Sequence, residues 1–323
     1  MEQILLVLGA GKLEAPILRW AREAGLTTVA TDADARVPAR RLAHEFHALP
    51  PCDVDAHLAL ARCCVERGEV VGVHAGDARS LRLLARLADA LPLPAPSGRA
   101  LELAADVERA RSAWRDAGLP VAGASPTAAL EVTGFFRDEV FVRAGIAERR
   151  APRRGATECW ILPAEIGAEA GRLVYRTAER AARALGIACG PVHARFARGS
   201  THPELIDLFP GFGVAATLVS TQVFHWSPVQ AWLAHLVDAG GPFDEMPLAP
   251  RHVGGWIEVR PAPERSSAPR SESGDPWVVV PARGASDSTA ILWASRERRD
   301  ELESTLRAAR AILEAEGACT PAA

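Results

Sequence analysis

The sequence predicts an α/β protein in which a doubly wound parallel unit is followed by a truncated α+β domain and a small C-terminal α+β segment. Three observations carry this. The 323 residues exceed what one compact core covers. The first hundred alternate short apolar runs with amphipathic stretches of helical period. From Glu131 onward, strand-like runs follow one another across polar turns, the mark of antiparallel pairing.

In order, residues 4–8 form a continuous apolar strand, 13–24 a helix and 27–31 a second strand. Strand 46–49, helix 54–67, strand 70–74 and helix 79–91 complete the unit before Pro92, Pro94 and Pro96 break the chain. A connector helix spans 98–117, stopped by Gly118 and Pro120. Strands 132–136 and 140–146 flank Arg137-Asp138-Glu139, a break of hairpin size. Strand 158–162, helix 164–185, strands 191–197 and 204–208 and helix 228–239 follow. The C-terminal segment has strands 253–260, 277–281 and 290–294 and a helix over 296–316, with a mobile loop expected at 261–275. The resulting domains are 1–97, a connector over 98–125, then 126–241 and 242–323.

Composition narrows the function. With 48% hydrophobic residues, 24% charged and a net charge of -3, the chain has a large core and no basic excess for nucleic acid. No apolar run reaches the roughly 18 to 20 residues of a membrane span, and Met1-Glu2-Gln3 enters a strand without a basic flank, so a cytoplasmic location is expected. Cys52, Cys63, Cys64, Cys159, Cys189 and Cys319 contain no C-x-x-C pair and read as reduced packing residues. The only lysine is Lys12, and asparagine is absent.

Gly9-Ala10-Gly11 turns the first strand into the first helix, where backbone amides and the positive helix end converge. The third glycine of a dinucleotide fingerprint is replaced by Glu14, whose carboxylate would repel a pyrophosphate. Asp32, 21 residues after Gly11, stands where a nicotinamide-dependent oxidoreductase would bind a ribose, and that reading is kept as an alternative. If a ligand binds beyond the strand ends, Gly9, Gly11, Lys12, Asp32, Gly76 and Asp77 line the cleft.

The order of these features points further. The run Ile4-Leu5-Leu6-Val7-Leu8-Gly9-Ala10-Gly11, then Ala24-Gly25-Leu26, Ala43-His44-Glu45-Phe46, Val71-Gly72-Val73 and Gly76-Asp77 resembles the Rossmann-like pre-ATP-grasp domain of the ATP-grasp superfamily. Gly190-Pro191-Val192-His193-Ala194-Arg195-Phe196 and Glu204-Leu205-Ile206-Asp207-Leu208-Phe209-Pro210 resemble its closing strands. That superfamily includes carbamoyl phosphate synthase, biotin carboxylase and carboxylate-amine ligases. The resemblance implies a fold that clamps ATP and magnesium and activates a carboxylate as an acyl phosphate.

The chain departs from the pattern at the site itself. Ten residues separate Pro120 from Glu131, where the family inserts its glycine-rich lid and phosphate-binding lysines. Arg195 stands where the resemblance implies a glutamate metal ligand, and Asp207-Leu208-Phe209-Pro210-Gly211 where it implies Glu-x-Asn-x-Arg, leaving Asp207 as the surviving candidate metal ligand. A bidentate Arg195 to Asp207 contact is expected instead, and if it is buried, Arg195→Glu should cost a few kcal/mol. His193 shares the strand face of Arg195 and completes the catalytic candidates His193, Arg195 and Asp207.

The expected function is therefore a degenerate ATP-grasp protein, a pseudoenzyme that binds a small molecule or a protein partner and uses no cofactor. The alternative is an active ATP-dependent carboxylate-amine ligase using ATP and Mg through an unorthodox site or a lid lent by a partner. Neither nucleic acid nor membrane is expected as a partner. The tryptophans Trp226, Trp232, Trp256, Trp277 and Trp293 suggest core packing and a homodimer.

Overall fold

The computed structural model describes residues 2–11, 14–123, 126–150, 159–199, 202–238, 250–261, 277–280, 290–315 and 319–320. The first sheet is fully parallel, with strand order β3, β2, β1, β4 over Glu45–Ala48, Thr27–Asp32, Glu2–Leu8 and Gly68–Ala75. Its central strand β1 is buried along Ile4, Leu5, Leu6, Val7 and Leu8, because a parallel sheet is covered on both faces. Helix α1 (Glu14–Glu23) covers one face and helices α2 (Val54–Arg67) and α3 (Ala78–Ala90) the other. Asp53 and Asp77 begin α2 and α3 by accepting from the amides of Ala56 and Ser80 at 3.1 and 2.7 Å.

The connector departs from the single helix expected over 98–117. It forms α4 (Gly98–Ala104) and α5 (Val107–Asp116), because the Asp106 carboxylate accepts from the Arg109 amide at 3.1 Å and starts a second helix. The chain then runs beside the next sheet, where Leu205 takes the Pro120 carbonyl at 2.8 Å and gives its own carbonyl to the Ala122 amide at 2.9 Å.

Strands β5 (Ala128–Arg137) and β6 (Val140–Arg150) form the expected hairpin, longer at both ends. Its turn is Asp138-Glu139, with φ of 48° and 64°, the left-handed pair that matches strand twist. They join β7 (Cys159–Leu162), β8 (Gly190–Arg198), β9 (Pro203–Phe209), β10 (Val253–Pro261), β11 (Trp277–Val280) and β12 (Ala290–Arg296) in the order β11, β12, β10, β7, β6, β5, β8, β9. A short β13 (Cys319–Thr320) pairs with β10.

Helix α6 (Ala168–Ala184) covers one face of this sheet. It starts later than expected because the Ala164 and Glu165 amides turn to the Ile146 carbonyl and the Glu148 carboxylate, at 2.8 and 3.0 Å. The other face is covered by a π-helical turn over Ala215–Val219, α7 (Ser220–Phe224) and α8 (Pro228–Leu236). The first two were not anticipated, since residues 215–224 carry no clear helical period. The Ser220 hydroxyl reaches back five residues to the Ala215 carbonyl at 2.7 Å, the spacing of the wider turn. Helix α9 (Arg299–Ala315) packs its Leu302, Leu306 and Ala309 on β10 and β12. The loop expected to be mobile at 261–275 lies outside the described residues apart from Pro261.

One apolar cluster runs without interruption from Ile4 and Leu6 through Leu81, Trp114 and Ala181 to Phe196 and Leu205, so the two sheets share a core. Among the described residues no helix is long and apolar enough to cross a membrane. Among the described residues Cys52, Cys63, Cys64, Cys159 and Cys189 are free, Cys64 and Cys159 are buried, and burial pushes both of these thiols up to about 11. The folded chain therefore retains protons that the unfolded chain releases. Stability is intact below pH 8 and falls as the pH rises toward 11, by on the order of 2 kcal/mol per thiol. Urea midpoints across that range check this, and at pH 8 a thiol reagent should modify exposed Cys52 and Cys63 long before Cys64 and Cys159.

Candidate functional site

At the carboxyl ends of the parallel strands the polar groups find partners within the loop. Gly9, at φ 94°, donates its amide to the Thr31 carbonyl at 2.9 Å, and Gly76 donates to the Leu8 carbonyl at 3.0 Å. The two oxygens of Asp32 accept from the amides of Ala10 and Asp34, both at 2.9 Å, and Asp77 caps α3. The Glu14 carboxylate fills the gap between Gly11 and Gly76. A methyl group on Gly11 would lie 2.9 Å from one of its oxygens, and a methyl on Gly76 2.6 Å from the other. His74, also buried, brings Nε2 to 3.6 Å from Glu14 and stacks its ring on Phe212 at 6.3 Å. Lys12 lies outside the described residues. Asp32→Ala leaves two backbone amides without an acceptor and is expected to cost about 1 to 3 kcal/mol, read by urea denaturation.

The other candidates meet on the antiparallel sheet. Pairing of β5, β8 and β9 puts Glu131, Arg195 and Asp207 directly opposite one another, and Thr133, His193 and Phe209 in the next row on the same face. Arg195 Nε lies 2.9 and 3.1 Å from the two Asp207 oxygens, and Nη2 donates to Asp207 Oδ2 as well. This hydrogen bonding, helped by the charges of Asp207, Glu131 and Glu258 and opposed by burial, holds the guanidinium above its ordinary value.

The pair is not buried: the Arg195 side chain is 45% exposed and that of Asp207 25%. The condition of burial attached to the cost of a few kcal/mol for Arg195→Glu is therefore not met. A solvent-screened pair contributes about 0 to 1 kcal/mol.

His193 brings Nε2 to 3.5 Å from Glu131 Oε2, where neither atom makes a hydrogen bond. The ring rests against Gly213, where a methyl group would come within 3.0 Å of Cδ2 and Nε2. Glu131 belongs to this constellation; it carries no motif in the sequence and joins the site only through strand register.

Magnesium does not fit at Asp207. Both carboxylate oxygens face a guanidinium, and Phe209 supplies an aromatic ring that lies against Gly211 in place of an oxygen ligand. Among the described residues no three His, Cys, Asp or Glu side chains converge on a point where an ion could sit.

No protein-family profile matches the sequence, and no curated protein does. Solved structures do match. The chain is similar to L-amino acid ligase from Bacillus licheniformis at 15% identity and a TM-score of 0.71, over 96% of this chain and 97% of that one. It is similar to glycinamide-RNase-transformylase T from Mycobacterium tuberculosis at 15% identity and a TM-score of 0.72, over 95% and 99% of the two chains. The biotin carboxylase domain of 2-oxoglutarate carboxylase from Hydrogenobacter thermophilus, solved with MgADP and bicarbonate, matches at 14% identity and 0.68, over 91% and 86%. These likenesses show the fold, which is ATP-grasp-like.

Proposed function

We propose that this ATP-grasp-like chain does not perform magnesium-dependent ATP ligation and serves instead as a small-molecule-binding or partner subunit. The observation that carries the reading is the engagement of both Asp207 oxygens by Arg195. An acid held by a guanidinium must break those contacts before it can accept a metal, and the incoming ion is repelled by the charge already there. Two further features support it. The connection from Pro120 to the first residue of β5 spans only residues 121–127, too short for a lid subdomain. The strand-end loop is filled by Glu14, and Asp32 is committed to two backbone amides, which disfavours the nicotinamide alternative.

The chemistry left to the site is recognition. Arg195 is oriented by Asp207 through Nε and Nη2, so its remaining edge is presented in a fixed direction from an exposed position. Beside it, Glu131 and His193 supply a carboxylate and an imidazole.

Calorimetric titration of the purified chain tests the reading, with MgATP, ATP alone and NAD as parallel ligands. No heat dependent on magnesium is expected, and NAD should be silent. Magnesium-dependent ATP binding of micromolar strength would overturn the proposal and restore an active ligase.

A further inference from the structure

The end of α7 and the start of β10 bring two histidines together from distant parts of the chain. The amides of Arg251 and His252 both donate to the Val223 carbonyl, at 2.9 and 3.3 Å, so the segment entering β10 is fixed to the last turn of α7. His225 ends that helix in the left-handed conformation, at φ 51°. As a result the imidazoles of His225 and His252 lie side by side, with ring centres 5.9 Å apart and planes inclined by 32°. His225 is exposed and His252 half-buried. Among the described residues neither ring makes a hydrogen bond or an ion pair.

We propose that His225 and His252 form a two-histidine binding site for a borderline transition-metal ion such as Zn²⁺ or Ni²⁺. Imidazole nitrogen suits these ions, whereas Mg²⁺ and Ca²⁺ seek oxygen. Zinc–nitrogen bonds of about 2.0 to 2.1 Å put the centres of two imidazoles on one tetrahedral ion about 5 Å apart. A closure of under about 1 Å, within the reach of side-chain rotation, takes the observed 5.9 Å to that value. Neither ring gives up a protein partner in order to bind. The Val223 contacts hold the two backbones in place beforehand, which lowers the ordering cost of chelation. No third His, Cys, Asp or Glu joins the pair among the described residues, so water completes the coordination and the ion exchanges freely. A bound ion clips the end of α7 to the start of β10.

The test is calorimetric titration of the purified chain with Zn²⁺ and, in parallel, with Mg²⁺, followed by thermal unfolding of the same samples. The wild type should take up Zn²⁺ with a rise in its thermal midpoint, because the ion binds the folded chain, and should ignore Mg²⁺. His225→Asn removes the imidazole but keeps a residue that tolerates the left-handed backbone, and His252→Gln keeps a polar side chain, so both variants should fold. Loss of an outer-shell partner already costs a metal site about 10- to 100-fold in affinity, so loss of either ring should weaken Zn²⁺ binding by at least about tenfold and remove the thermal shift. A wild type that takes up no Zn²⁺ overturns the proposal. Zn²⁺ binding equal to the wild type in both variants overturns it too, since the ion then sits on other groups such as the exposed thiols of Cys52 and Cys63. So does a loss confined to one variant, because a shared site needs both rings.

Discussion

Glu148→Ala is expected to lower stability by about 2 to 4 kcal/mol, because it removes the buried partner of an ion pair and leaves a backbone amide without an acceptor. The Glu148 side chain is 7% exposed, and its Oε1 accepts from Arg299 Nη1 at 2.7 Å and from the Glu165 amide at 3.0 Å. Arg299 also holds the Pro163 carbonyl at 2.8 Å, so one cluster ties β6, the turn before α6 and the start of α9 together. Without Glu148, the Glu165 amide loses its acceptor, and the mostly buried guanidinium keeps only the Pro163 carbonyl and the more exposed Glu165 carboxylate at 3.0 Å. Glu148→Gln keeps an oxygen for the amide and should cost less. Urea denaturation reads both, and a loss below about 1 kcal/mol for the alanine variant would show that the cluster is solvated. Early proteolytic release of α9 in Glu148→Ala, ahead of global unfolding, would show that the damage begins at this junction.

Trp114→Ala should cost a similar amount, about 3 to 5 kcal/mol, for a different reason. The indole is buried in the core shared by the two sheets and donates Nε1 to the Ala181 carbonyl at 3.0 Å, joining α5 to α6. Truncation leaves a cavity between two helices that both pack on β9. Trp114→Phe retains most of the apolar volume and isolates the hydrogen bond, for which about 1 kcal/mol is expected. If the two variants lose equal stability, the cavity is collapsing and the hydrogen bond dominates.

The parallel unit was readable because its signals are local. The run from Ile4 to Leu8 is buried as its composition demands, and the helix over residues 54–67 stands at its expected limits behind the Asp53 cap. The connector divides where one helix is expected because Asp106 sits within an otherwise helical pattern, and a carboxylate there can either tolerate the helix or restart it. The contact between Arg195 and Asp207 was legible because a short loop joins their strands, which limits the register. Glu131 depends on the pairing of β5 with β8, set by contacts some sixty residues apart, a register that nothing near the residue encodes. The same holds for Glu14, whose sequence position suggests a charge at a helix start but not that its carboxylate fills the space between two glycines.

The backbone contact between the connector and Leu205 bears on how copies of this chain can associate. β9 ends the larger sheet, and an outer strand ordinarily offers free amides and carbonyls on which another chain can build. Here the Leu205 amide and carbonyl are already taken by Pro120 and Ala122, in the segment that leads into β5. A foreign strand could pair at that point only by peeling away the link between the two halves of the molecule. Assembly by continuing the sheet past β9 is thus blocked from within, and any self-association must use side-chain surfaces or another edge.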